Sequence, residues 1–154
     1  QKVRNQLAHE VLDNDFDYVT NTLPPTYPDG LDTEVFSFKA LEKAWKEARL
    51  PSDREHVTEY IIQHPELFRL FNIRREGEDL SWMRWTVDHQ EDLDFASEIF
   101  RRLYKPGGIF YMNDVLRLLE ENPGLLEMNK GISRNEGYEI SLQKDKKMLG
   151  PGDK

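Results

Sequence analysis

Val3, Leu7 and Val11 recur every four residues, which marks one face of an amphipathic helix closed by Asp13, Asn14 and Asp15. The pattern then shortens. Asp17 to Asn21 reads Asp-Tyr-Val-Thr-Asn, a β-prone run that predicts a buried strand. Leu23 to Gly30 holds Pro24, Pro25 and Pro28 and ends in Asp-Gly, so it predicts a loop: proline cannot donate to a ladder, and Asp-Gly turns the chain. Thr33 to Phe38 predicts a second strand. Ser37 is placed to cap the next helix, whose Phe38, Leu41, Ala44, Trp45 and Ala48 share one face. Ser52 with Glu55 three residues on has the capping-box pattern, predicting a helix that opens at Pro51 and stops before Pro65.

Leu67 to Ile73 and Arg84 to Val87 predict two more strands. Glu91 to Tyr104 predicts a helix with Leu93, Ala96, Ile99, Phe100 and Leu103 on one side. Asn113 predicts the cap of a further helix through Val115, Leu116, Leu118 and Leu119, closed by Asn122-Pro123-Gly124. Residues 143–154 read as a polar, disordered tail beyond a structured region 1–142. Alternating helices and strands give an α/β class. Four short strands make a thin sheet for this many helices, as a piece of a larger sheet would.

Composition narrows the function. The 154 residues suffice for one domain or part of a larger one, and eight Phe, six Tyr and three Trp argue for a folded core. A net charge of −8 and a pI near 5.1 disfavour non-specific nucleic-acid binding, although a small phosphate needs only a local cationic pocket or a metal. The absence of Cys removes disulfides, thiolate zinc sites and Cys nucleophiles, and fits a cytoplasmic setting. No apolar run approaches the ~18–20 residues of a membrane span. The chain begins with Gln1 rather than Met, which predicts either a processed start or a start inside a longer protein.

No Walker A, Gly-x-Gly-x-x-Gly, Gly-x-Ser-x-Gly or His-Glu-x-x-His motif is present, and His9, His56, His64 and His89 lack metal-ligand spacing. Three clusters stand out. Asp29, Asp32 and Glu34 crowd a turn entering a strand, where carboxylates accept hydrogen bonds from sugar hydroxyls; a solvated turn is the equal alternative. Arg54, Glu55 and His56 stand at a predicted helix start, which favours anions, or else simply cap it. Asp88 follows the predicted strand Arg84 to Val87, where ligands gather in α/β sheets and a carboxylate suits Mg²⁺; the alternative is a helix cap.

Taken as a set, "DYVTNTLPPTYPDGLDTEVFSFKALEKAW", "REHVTEYI", "MRWTVDHQEDLDF" and "RNEGYEISL" resemble the spore-coat polysaccharide biosynthesis SpsF family of cytidylyltransferases, from about Asp17 to Leu142. The resemblance implies the C-terminal part of a three-layer α/β/α nucleotide-diphospho-sugar transferase domain. It implies an Mg²⁺-dependent reaction in which a sugar hydroxyl attacks the α-phosphate of CTP and pyrophosphate leaves, in surface polysaccharide synthesis. Asp88 matches the family's late metal-binding aspartate. Asp32, Glu34, Arg54, Glu55 and His56 match segments facing the sugar or a homodimer contact, and Arg84 would meet phosphate or pair with an acid.

The departures are as telling. The family's Gly- and Arg-rich nucleotide loop and its early metal aspartate have no counterpart here, and His89-Gln90 stands where the family has an acid–proline pair. The expectation is therefore part of a nucleotidyltransferase, inactive alone, with a non-catalytic dimerisation or sugar-binding module as the alternative.

Overall fold

A computed structural model of the chain describes residues 9–10, 14–132, 134 and 136–149. His9 and Glu10 are helical, but Val3, Leu7 and Val11 of the first predicted helix lie outside the described residues. The chain forms two compact units, one of residues 1–26, 32–77 and 135–154, the other of residues 27–31 and 78–134.

The first unit is built on a three-stranded mixed sheet. Strand β1 (Tyr18–Thr20) lies between β2 (Glu34–Phe36), antiparallel to it, and β3 (Leu70–Asn72), parallel to it. Val19 faces Val35 on one side and Phe71 on the other. All of β1 is buried because successive side chains enter opposite cores. Tyr18 packs with Ala40, Ala44, Ile61 and Phe68, while Val19 packs with Ile73, Phe16 and Val35.

Helix α1 (Phe38–Glu47) starts as its cap predicts, with the Ala40 N–H donating to Ser37 Oγ at 3.0 Å. Its predicted apolar face is only half used. Ala40 and Ala44 are buried against the sheet core, where small side chains permit close approach, but Phe38 and Trp45 are 79% and 65% exposed. The single helix predicted from Pro51 is two, α2 (Pro51–Glu55) and α3 (Glu59–Gln63). His56 leaves helical dihedrals at φ −105°, ψ 87°, and its ring reaches Ser141 Oγ at 3.0 Å, while Thr58 Oγ1 donates to Glu34. Tertiary hydrogen bonds outweigh local propensity there. The predicted capping box is absent: Leu50 is the N-cap, and the Ser52 N–H instead donates to Asp145 Oδ1 at 3.0 Å. Asp145 belongs to α6 (Glu136–Leu149), so residues 143–149 are helical where the sequence predicted a disordered tail. Residues 150–154 lie outside the described set.

The second unit packs α4 (Gln90–Leu103), α5 (Met112–Glu121) and a 3₁₀ turn at Pro123–Glu127 around Leu80, Met83, Phe95, Ile99, Val115, Leu119 and Leu125. On α4 the buried face holds Asp92, Phe95 and Ile99, so Leu93 and Phe100, predicted inside, are exposed. Tyr111, not Asn113, is the N-cap of α5, and its N–H donates to Asp114 Oδ2 at 2.9 Å. The strand predicted at Arg84 to Val87 does not form. Arg84 makes one bridge, to Asp29, with the Asp29 N–H donating to the Met83 carbonyl at 2.9 Å and the Trp85 N–H to the Asp29 carbonyl at 2.7 Å. Beyond it, side chains satisfy backbone groups that a ladder would have used. Gly30 makes this approach possible: a Cβ there would stand 2.6 Å from the Thr86 nitrogen, and its φ is +99°.

Replacing Asp145 with Ala leaves the buried Ser52 N–H without its acceptor. The expected loss is about 1–3 kcal/mol in urea unfolding, against about 1 kcal/mol for Ser37→Ala at the half-buried cap of α1. Equal costs at the two positions would contradict the burial difference.

Candidate functional site

Among the described residues, a densely connected polar group lies in the second unit. Arg84, with a side chain 9% exposed, donates from Nε to Asp92 Oδ1 at 3.0 Å and from Nη2 to Asp92 Oδ2 at 2.9 Å, a bidentate pair. Nη2 also donates to Asp88 Oδ2 at 2.9 Å, and Nη1 stands 3.5 Å from Asp29 Oδ2. Asp92 is fully buried and takes further bonds from Asn129 Nδ2 at 2.9 Å and from the Asp88 and His89 N–H groups at 3.2 and 3.1 Å. Burial pushes the Asp92 carboxyl up, but the bonds from Arg84, Asn129 and the two backbone N–H groups outweigh it and hold the group far below the usual carboxylate range. The Asp92 hydrogen bond correspondingly raises Arg84.

Local sequence explains the arrangement. Asp92 is the third residue of α4 and reaches back to its N-cap His89, a cap with an acid at the positive helix end. His89-Gln90 thus launches the helix without a proline, His89 being extended at φ −121°, ψ 166°. The cap that the sequence allows at Asp88 stands instead at His89, whose N–H donates to Asp92. Asp88 stays 63% exposed, and among the described residues its Oδ2 accepts from Arg84 and from Thr86 Oγ1 at 3.1 Å. Asp29, for which the sequence leaves a sugar contact and a solvated turn equally open, is buried here and pairs with Arg84 and, at 3.8 Å, with Arg134 Nε.

The other sequence candidates fall in the first unit. Asp32 is exposed. Glu34 accepts from Thr58 Oγ1 at 3.0 Å and from the Tyr18 hydroxyl; burial, then Glu34, raises the Tyr18 phenol. Arg54, Glu55 and His56 stand at the C-terminal end of α2, not at its start, so the expected helix-dipole attraction for anions does not apply. Glu55 accepts from Ser141 Oγ at 2.9 Å and from Lys144 Nζ at 3.1 Å, and Lys144, then Ser141, lowers its carboxyl. Arg54 Nη1 donates to the Trp45 carbonyl at 3.0 Å. The structure therefore joins Arg84 with Asp88, and Glu55 with His56 through Ser141.

Asp92 and Asn129 were missed by sequence reasoning. An acid three residues after a helix cap was a visible signal for Asp92; nothing in the sequence marked Asn129, whose part depends on the fold. Among the described residues, no group of three or more His, Cys, Asp and Glu side chains could hold a metal, and no helix is long and apolar enough to cross a membrane. Within this cluster Asp88 is the carboxylate that remains exposed to solvent.

Removing Arg84 by Arg84→Met leaves Asp92 buried and uncompensated, with an expected loss of about 3–5 kcal/mol at neutral pH. Because the folded Asp92 pKa is depressed, its contribution is complete above the unfolded value of about 4 and is lost as pH falls towards the folded one. Urea unfolding of the native chain should therefore weaken below about pH 4, and the Arg84→Met stability gap should shrink there. A pH-independent gap would show that the ion pair is not its source.

No family model matches the chain. An uncharacterized protein of Methanocaldococcus jannaschii is 33% identical over 138 residues, 84% of this chain and 52% of that protein. A solved structure of a cytidylyltransferase from Leptospira borgpetersenii serovar Hardjo-bovis superposes with a TM-score of 0.74 at 26% identity, over 86% of this chain and 55% of that one. The chain thus spans about half the length of each protein it matches. The SpsF assignment in particular rests on the motifs alone. In fold and in sequence the chain is similar to a cytidylyltransferase, with a mixed α/β, nucleotidyltransferase-like architecture.

Proposed function

We propose that this chain forms part of an Mg²⁺-dependent sugar cytidylyltransferase of the SpsF type, in which a sugar hydroxyl displaces pyrophosphate from CTP and forms a CMP-sugar. The observation that carries the reading is the likeness of 86% of the chain to a cytidylyltransferase, with Asp88 exposed beside a rigid buried ion pair. In the reaction, the hydroxyl oxygen bonds to the α-phosphorus, the bond to the bridging oxygen of the β-phosphate breaks, and the hydroxyl proton is released. Such chemistry is mainly positioning and charge neutralisation.

The role assigned to Asp88 is to bind the ion that accompanies the triphosphate. Bound Mg²⁺ would neutralise charge on the triphosphate and the leaving pyrophosphate. Three carboxylates, Asp29, Asp88 and Asp92, face two guanidiniums, Arg84 and Arg134, and the surplus negative charge reaches solvent at Asp88. Arg84 and Thr86 fix the Asp88 carboxylate through one oxygen and leave the other for a cation. Arg84 is a positioning residue in this scheme, held by Asp92 and Asn129, rather than a phosphate ligand. Asp32, Glu34, Arg54, Glu55 and His56 are proposed to serve the sugar side or a contact with a second subunit in a cytoplasmic homodimer.

The full-length gene product is to be assayed for Mg²⁺-dependent pyrophosphate release from each ribonucleoside triphosphate with a panel of sugar acceptors. CTP is the expected substrate. Asp88→Asn should lower kcat by about 10²–10³-fold, the scale of losing one group that stabilises developing charge, while leaving urea stability nearly unchanged. Absence of pyrophosphate release with every triphosphate, or a variant as active as the parent, would overturn the reading.

A further inference from the structure

The second unit holds a cavity of about 320 Å³ beside its 3₁₀ turn, within the ~300–1,000 Å³ of small-molecule sites. Met83, Phe95, Leu126 and Ile132 give it apolar walls, and Trp82, 60% exposed, adds an indole ring. One buried polar side chain lies among them. Asn129 is 6% exposed, and its Nδ2 is fully used, donating to the Arg84 carbonyl and to Asp92 Oδ1, both at 2.9 Å. Two acceptors on that nitrogen fix which way the amide points. Its Oδ1 has no donor among the described residues, and unlike Trp85 Nε1 it is not sealed from solvent. Asn129 lines the cavity, so a ligand there meets an open acceptor. At the outer edge Lys130 Nζ stands 3.0 Å from Glu127 Oε1, with both side chains well exposed. An exposed pair of this kind adds little to the fold, and each charge can exchange its partner for a ligand.

We infer that this cavity binds a free aromatic α-amino acid whose ring carries a hydrogen-bond donor, tyrosine or tryptophan. The ring packs between the apolar walls and the Trp82 indole, where offset or edge-on aromatic contacts add to area burial. The Met83 thioether is a further soft contact for a ring. The ring O–H or N–H donates to Asn129 Oδ1 and supplies the bond that the protein does not. Outside, the ligand ammonium meets Glu127 and its carboxylate meets Lys130. The site thus asks for three things together: an inner donor, a flat apolar body and an outer pair of opposite charges. A nucleotide would bring surplus negative charge to a rim whose two charges cancel, and an apolar segment of a partner would leave Asn129 Oδ1 without a donor. The inference is independent of the nucleotide chemistry proposed for Asp88.

The test is an NMR titration of the ¹⁵N-labelled chain with L-tyrosine and L-tryptophan, in the absence of nucleotide and metal, following the Trp82 indole N–H and the Asn129 side-chain amide. The expected result is a concentration-dependent shift of both signals with at least one of the two, with Kd on the order of a millimolar for so small a ligand. L-phenylalanine, which leaves the acceptor unpaired, should bind at least about tenfold more weakly. Trp82→Leu should weaken binding by about tenfold, and Lys130→Gln by about threefold. Both residues are exposed, and each variant must keep the parent's amide spectrum away from the cavity. Tyramine, which lacks the carboxylate, should be indifferent to Lys130→Gln. No shift with either amino acid, equal affinity for L-phenylalanine, or unchanged affinity in both variants would overturn the inference. So would a Lys130→Gln effect as large for tyramine as for L-tyrosine.

Discussion

The second unit depends on one ion pair. Arg84 and Asp92 are eight residues apart, and their contact closes the irregular segment between them onto the start of α4. Taking both charges out of water is expensive, and a buried pair recovers the cost only if the remaining donors and acceptors are also satisfied. Here they are: Asp92 receives Arg84, Asn129 and two backbone N–H groups, while Arg84 also meets Asp88 and Asp29. This stitching replaces the strand that Arg-Trp-Thr-Val would otherwise favour. The same residues that make the segment irregular make it rigid.

What could be read from sequence divides along the range of the interaction responsible. Ser37 caps α1, and β1 to β3 fall inside their predicted windows, because caps and short β-prone runs are decided by neighbours in the chain. The failures are tertiary. The helix predicted from Pro51 breaks at His56 because Ser141 and Glu34 compete for its side chains, and both lie far away in sequence. The α4 face turns because burying Asp92 with Arg84 determines which side points inward, displacing Leu93 and Phe100. Asp145, in a stretch with the composition of a tail, is buried because it accepts the Ser52 N–H.

The candidate site follows the same rule. Arg84 and Asp88 were both visible as chemistry-bearing residues near a turn, but sequence could not say which acid would be spent on structure. The spacing that placed Asp88 after a β-prone run drew attention from Asp92, whose position three residues into a helix was the better clue to a cap. Asp29 shows the converse: its neighbours Asp32 and Glu34 suggested a shared acidic turn, yet Asp29 is buried with Arg84 while the other two belong to the first unit.

The division of labour among the three aspartates bears on what chemistry remains available. A ligand for Asp92 would have to compete with five N–H donors in a buried setting, and Asp29 faces two guanidiniums. Asp88 differs in exposure and in having one oxygen uncommitted. A cation approaching it meets the Arg84 charge nearby, a repulsion reduced because Asp92 already compensates that guanidinium. On the reading proposed for Asp88, it would bind a bare ion weakly and an ion carrying phosphates more strongly, since Mg²⁺ keeps most of its coordination for water and phosphate oxygens. The buried pair thereby serves Asp88 in two ways: it holds the carboxylate still, and it keeps the nearest positive charge from cancelling it.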